Sequence, residues 1–196
     1  MKKMLSVGLL AAALMLSGCA GSNFVRPDPS RLTLGKTTQA DVVRDFGAPW
    51  RQGQGLKNGQ TVSTLSYAYA EVGGAPYRPG VTPARAQVFH FHNNLLVGHE
   101  FASSWAADHT DFDDTKVDQI AKGRTTRDEV QRMIGRPGGT FVYPMIKAQA
   151  GDALVYVYSE TRQTGFASFS FKRKLLVVTL NAAGVVEDVD YSTSSN

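Results

Sequence analysis

Hydrophobic positions along this chain fall into three regimes. Residues Met4–Leu16 form an apolar run, interrupted only by Ser6 and Gly8, behind Lys2 and Lys3. Residues 20–30, with Gly21, Ser22, Pro27 and Pro29, have no period and read as a flexible tether. From residue 31 onward, stretches with helical spacing precede stretches that alternate. Val42, Val43 and Phe46 make one apolar stripe, and Val130, Met133 and Ile134 make another, each on one face of a helix. Thr38 and Thr126 precede these stripes, with Asp41 and Glu129 three residues on, the spacing of a capping box. Gly47 and Gly135 follow them, where a residue at positive φ ends a helix, and Pro49 and Pro137 forbid continuation. Shorter helices are predicted at 30–34 and 114–121.

The alternating stretches predict strands. Leu65, Tyr67 and Tyr69 share one parity, and so do Leu154, Tyr156 and Tyr158. Residues 87–92 and 95–101 flank the turn Asn93-Asn94. Residues 166–171 and 175–180 are two further runs, and Ala182-Ala183-Gly184 turns the chain into 185–191. Period-two runs joined by tight turns predict antiparallel meanders. Parity places Phe89 and Phe91 toward the helices and turns His90 and His92 away from them. It also turns Val155 and Val157 outward, where an apolar patch would mark a binding surface.

The chain also repeats itself. Gly35-Lys36-Thr37-Thr38 recurs as Gly123-Arg124-Thr125-Thr126, an offset of 88, and Gly47/Gly135 and Pro49/Pro137 keep it. Helices first and strands after, twice over, predict an α+β fold. It is expected as two tandem helix–helix–β-meander repeats forming an antiparallel sheet with helices packed on one face. The expected division is 1–18 leader, 19–30 tether, 31–110 first repeat and 111–196 second repeat. The word Gly-x-Thr-Thr-x-x-x-Val-x-x-x-x-Gly-x-Pro, followed by a Tyr-rich strand and a closing hairpin, resembles the SmpA/OmlA (BamE) family of outer-membrane lipoproteins. In tandem it resembles the β-lactamase inhibitor protein fold. The first resemblance implies an accessory role beside the β-barrel assembly machinery, of which the family's best-known member is a subunit, though that subunit has one copy of the unit and this chain has two.

The leader fits that setting. A charged start, a short apolar run and small residues describe a secretory signal peptide, too short for a comfortable membrane span. Leu16-Ser17-Gly18-Cys19 resembles the bacterial lipobox, which implies cleavage before Cys19 and attachment of fatty acyl chains such as palmitate to its thiol. Cys19 is the one cysteine, so no intramolecular disulfide forms. Ala20 in place of aspartate implies, by the family rule, the periplasmic face of the outer membrane. The formal charge is +4, of which Lys2 and Lys3 carry two, leaving a mildly basic +2 for 19–196. No nucleic-acid footprint is present.

Catalytic signatures are missing from the sequence. No nucleophile elbow, Walker loop or zinc helix motif appears, and Ser170 lacks a glycine frame. The expectation is a protein without catalysis, cofactor or resident metal. Asp108, Asp111, Asp113 and Asp114 read as a solvated linker and helix cap. The insertion 71–86 is the expected recognition loop, with Tyr77, Arg78 and Arg85 as aromatic and cationic contacts beside the His90/His92 face. Function is therefore expected to be protein binding, as a scaffold or accessory in envelope or outer-membrane assembly and maintenance. Two alternatives stay open: inhibition of a periplasmic hydrolase, and metal sensing through His90 and His92, with His99 as a third candidate across the Asn93-Asn94 turn.

Overall fold

The computed structural model describes residues 23–166 and 168–196, so the leader and Cys19 lie outside the described residues. The predicted helix starts hold. Helix α1 (Gln39–Phe46) is capped by Thr38, whose N–H donates to Asp41 Oδ2 at 3.0 Å while Asp41 N–H donates back to Thr38 Oγ1 at 3.2 Å. Helix α2 (Arg127–Ile134) repeats this with Thr126 N–H donating to Glu129 Oε2 at 2.8 Å. Gly47 and Gly135 end the helices at φ 76° and 103° with ψ −163°, a region open essentially to glycine alone. A tyrosine from the sheet then satisfies each terminal carbonyl: Tyr67 OH donates to Gly47 O at 3.0 Å and Tyr156 OH to Gly135 O at 3.1 Å. The shorter helices are 3₁₀ turns, η1 (Pro29–Arg31) and η2 (Asp114–Gln119).

The strands dominate. They are β1 (Arg51–Lys57), β2 (Gln60–Ala70), β3 (Val81–Thr82), β4 (Ala84–His92), β5 (Leu95–Ser103), β6 (Gly139–Phe141), β7 (Asp152–Gln163), β8 (Phe169–Leu180) and β9 (Val186–Ser195). They form one antiparallel sheet in the order β1-β2-β4-β5-β6-β7-β8-β9, with β3 added to β7. This corrects the expected architecture of two helix–helix–meander repeats under a helical layer. The chain is mostly an antiparallel sheet curled into a half-barrel, with few helices. The reason is length: each α-helix has eight residues and buries only Val42, or Val130 and Ile134, whereas β7 and β8 run for twelve residues each. Helices that short depend on packing and cannot cover a nine-stranded surface.

Three strand features were not predicted. Strand β1 is exposed throughout and shows no apolar alternation; the hairpin at Asn58-Gly59 sets it, with φ 47° and 77°. Strand β6 spans only three residues, yet it joins the halves by pairing with both β5 and β7. A Cβ on Gly139 would overlap the His99 carbonyl, and one on Gly138 would come within 2.5 Å of Phe101 O, so β6 fits only with glycine there. Residues 169–180 form one strand, not two runs, pairing with β7 along its full length.

Apolar clusters fill both faces of the sheet. Leu65, Tyr67, Phe89, Phe91 and Leu96 pack under α1 against its Val42. Leu154, Tyr156, Leu176, Val178 and Val186 pack under α2 and η2. On the opposite face, Phe141, Ile146, Ala153 and Val155 form a third cluster, with Leu175 and Val177 against it. Val155 and Val157 are therefore buried, correcting the expectation that they form an exposed patch. Among the described residues no helix is long and apolar enough to cross a membrane.

Candidate functional site

The insertion 71–86 is more ordered than its composition suggests. Val81 and Thr82 pair with Arg162 and Thr161 of β7, and β4 begins at Ala84. The remainder folds onto the segment after β5. Tyr77 N–H donates to Ser104 O at 2.8 Å, and the Tyr77 ring stacks on His109 with centroids 3.5 Å apart. Gly74 packs so closely on Trp105 that a Cβ would lie 2.8 Å from its ring. Tyr77 stays partly exposed, whereas the Arg78 guanidinium pairs with Asp111.

Arg85 is buried at 9% exposure. Its Nε donates to Asp108 at 2.8 Å, its Nη1 donates to Asn23 Oδ1 at 3.0 Å, and the guanidinium lies 4.8 Å from the Trp105 ring centroid. Asp113 caps η2 as expected, accepting from Thr115 N–H at 3.1 Å, whereas Asp108, Asp111 and Asp114 are ion-pair partners and not the solvated linker expected. Asp111 also takes Lys174 Nζ at 2.6 Å, and Lys174 is 3% exposed. Asp114 accepts from Tyr191 OH at 2.6 Å and lies 3.3 Å from Lys174. This network ties loop, connector, β8 and β9 together. Nothing local in the sequence marks it, because Lys174 reads as the last of three solvated cations.

The histidines do not converge. His90 is buried beside Phe141, with centroids 5.4 Å apart, and its Nε2 lies 4.0 Å from Glu100 Oε1. Desolvation, helped by Lys57 and His99, lowers its pKa to about 4, so it is neutral near pH 7. Burial pushes the Glu100 carboxyl up. His92 Nδ1 lies 2.9 Å from Thr61 O, and its Nε2 is 3.1 Å from Asn93 Nδ2, which occupies both ring nitrogens. His99 pairs with Phe89 across β4–β5 and faces the helix side, opposite His90. Among the described residues no three His, Cys, Asp or Glu side chains gather as a metal site.

The most exposed aromatic feature lies elsewhere, at the β7–β8 hairpin. Thr164 N–H donates to Ser168 O at 2.9 Å to close the turn. Phe166 projects fully into solvent, and Phe169 and Phe171, two apart on β8, are 52% and 55% exposed. Of the cations in residues 161–174, Lys174 is buried on Asp111 and Arg162 pairs with Glu160 at 3.4 Å, which leaves Lys172 and Arg173 without an ion-pair partner among the described residues. Arg162 braces the hairpin to the loop by donating to Pro79 O at 3.0 Å. Of the five residues expected to bind a partner, Tyr77 and Arg78 border this end of the sheet, where β3 meets β7. The structure does not bring Arg85, His90 and His92 to that surface. Alternation alone marks 166–171 as an ordinary strand; the usable signal is three phenylalanines running directly into a Lys-Arg-Lys cluster.

The chain matches no protein-family model and no curated protein. The SmpA/OmlA resemblance therefore has no counterpart in these comparisons. A solved structure from Streptococcus mutans, described as that of a candidate β-lactamase inhibitor protein, aligns at TM-score 0.41 and 13% identity. The alignment covers 83% of this chain and 91% of that one.

Proposed function

We propose that this chain is a non-catalytic lipoprotein, anchored through Cys19 at the periplasmic face of the outer membrane. In this reading it binds another envelope protein as an accessory or scaffold. The lipobox-like leader supports the anchoring half. The observation that carries the binding half is the trio Phe166, Phe169 and Phe171, left in water beside Lys172 and Arg173, neither of which has an ion-pair partner among the described residues. Large aromatic side chains exposed together mark interaction surfaces, because burying each ring on a partner removes extensive apolar area from water. The charge selects the occupant: a protein with an apolar pocket rimmed by carboxylates.

A photo-crosslinking residue placed at Phe169 in the full chain, in intact envelopes, tests this directly. The expected result is one discrete protein adduct, absent when the same residue replaces Leu56 on the opposite sheet edge. The purified partner then binds the Phe166→Ser/Phe169→Ser/Phe171→Ser variant at least about tenfold more weakly. Equal binding by the variant, or identical adducts from both positions, refutes the assignment. Acyl labelling present in the wild type and lost in Cys19→Ala supports the anchor, and an unlabelled wild type refutes it.

A further inference from the structure

On the helix face, where the two halves meet at β6, lies a cavity of about 200 Å³. It is remote from the phenylalanine hairpin and stands independently of the partner reading. Two guanidiniums reach it. Arg26 lies over the Phe101 ring, 5.6 Å from its centroid, and donates to Pro137 O. Arg136 lines the same cavity. No Asp or Glu is among the lining residues, and neither arginine has a carboxylate ion-pair partner among the described residues. Asp108 acts on Arg26 and Asp28 on Arg136 from a distance, but neither forms an ion pair with them, so two guanidiniums in one concavity make a preformed anion site. Burial first, and the Arg136 charge after it, bring the Arg26 pKa down to about 10, against a smaller upward pull from Asp108.

The rest of the lining narrows the ligand. Gln87 is fully buried; its Nε2 donates to Val88 O at 3.0 Å, and its Oε1 has no hydrogen-bond partner among the described residues. That acceptor matches a ligand carrying an N–H beside its charge. His99, neutral near pH 7, adds a second polar atom without adding charge. Phe101 and Pro137 supply apolar wall, which suits a carbon skeleton better than a bare inorganic anion. The volume holds one small residue. We infer that this cavity binds the carboxyl-terminal residue of an acylated amino acid or peptide. Its carboxylate lies between Arg26 and Arg136, its amide N–H meets Gln87, and its side chain lies on Phe101 and Pro137.

Titration calorimetry on the full chain with acetyl-alanine, acetyl-alaninamide and inorganic phosphate tests the inference. Acetyl-alanine is expected to bind in the millimolar range or tighter. The amide and phosphate bind at least about tenfold more weakly. Arg136→Ala, at an exposed position, loses about tenfold in affinity for the acid with an unchanged unfolding midpoint, and Arg136→Lys recovers part of it. A peptide ending in alanine distinguishes the sources: tighter binding than acetyl-alanine identifies a chain terminus, and equal binding a free acyl amino acid. No heat with acetyl-alanine at about 10 mM overturns the proposal. Equal binding of the amide or of phosphate, or an unaffected Arg136→Ala, overturns it too.

Discussion

Acidification should destabilise this protein well above the usual carboxylate range, through two buried histidines. His90 and His99 each have a pKa lowered from 6.5 to about 4, chiefly by desolvation. In the unfolded chain both titrate near 6.5. Above that value both states are neutral and the histidines contribute nothing to the pH dependence. As pH falls from about 6.5 to about 4, the unfolded state takes up protons that the native state refuses, and stability drops. A shift of about 2.5 units corresponds to roughly 3 kcal/mol per histidine once pH falls below both values, and to about 2.5 kcal/mol already near pH 4.5. Lys57 and His99 act on His90, and Arg26 acts on His99, all in the same direction as burial. Glu100 opposes them: its raised pKa means the native state gains a proton more readily, which recovers stability as pH falls.

The assay is urea unfolding of the full chain near pH 7.5 and near pH 4.5, for the wild type and for His90→Gln, His99→Gln and the double variant. Each single replacement removes one titrating group, so the stability lost between the two pH values should shrink by about 2.5 kcal/mol per histidine removed. Comparing changes with pH cancels whatever each substitution does to packing. Parallel losses in wild type and double variant would refute the argument, because the destabilisation would then belong to the carboxylates alone.

Two further outcomes follow from the packing. Gly139→Ala sets a methyl against the His99 carbonyl at the joint between the halves. It should lower stability by at least about 2 kcal/mol in denaturant titration, with Gly184→Ala, where nothing lies within 4 Å but φ is 75°, costing about 1 kcal/mol. Lys174→Met strands the buried Asp111 carboxylate beside one remaining cation, Arg78, and should cost about 3–5 kcal/mol. Adding Asp111→Asn to it should return part of that loss, and a strictly additive double variant would remove the network argument.

The local features were legible because their causes are local. A threonine three residues before an acid, and a glycine two residues before a proline, fix a helix start and stop within one turn. Asn93-Asn94, at φ 50° and 66°, makes its hairpin from its own two residues. Parity also put Phe89 and Phe91 in the core correctly, since a single period-two run carries that information. The duplicated grammar is visible in matched bonds: Leu96 N–H to Thr37 O and Val186 N–H to Thr125 O, both at 2.8 Å.

What escaped the sequence was decided by partners far along the chain. Strand β1 is exposed on both faces and exists because β2 pairs with it. Strand β6 is too short for any period, and two glycines let it slot between β5 and β7. Residues 142–148 cover the far face of the sheet, so Val155 became core although its parity pointed away from the helices. The aspartates of the connector and Lys174 became a buried network only once some sixty positions of chain had closed between them. The sequence by itself therefore determined the caps, turns and alternation, each set by sterics and hydrogen bonds within a few residues. Only the tertiary structure decided which faces are covered, which charges are paired and which aromatics remain in water, because burial is a property of what packs opposite.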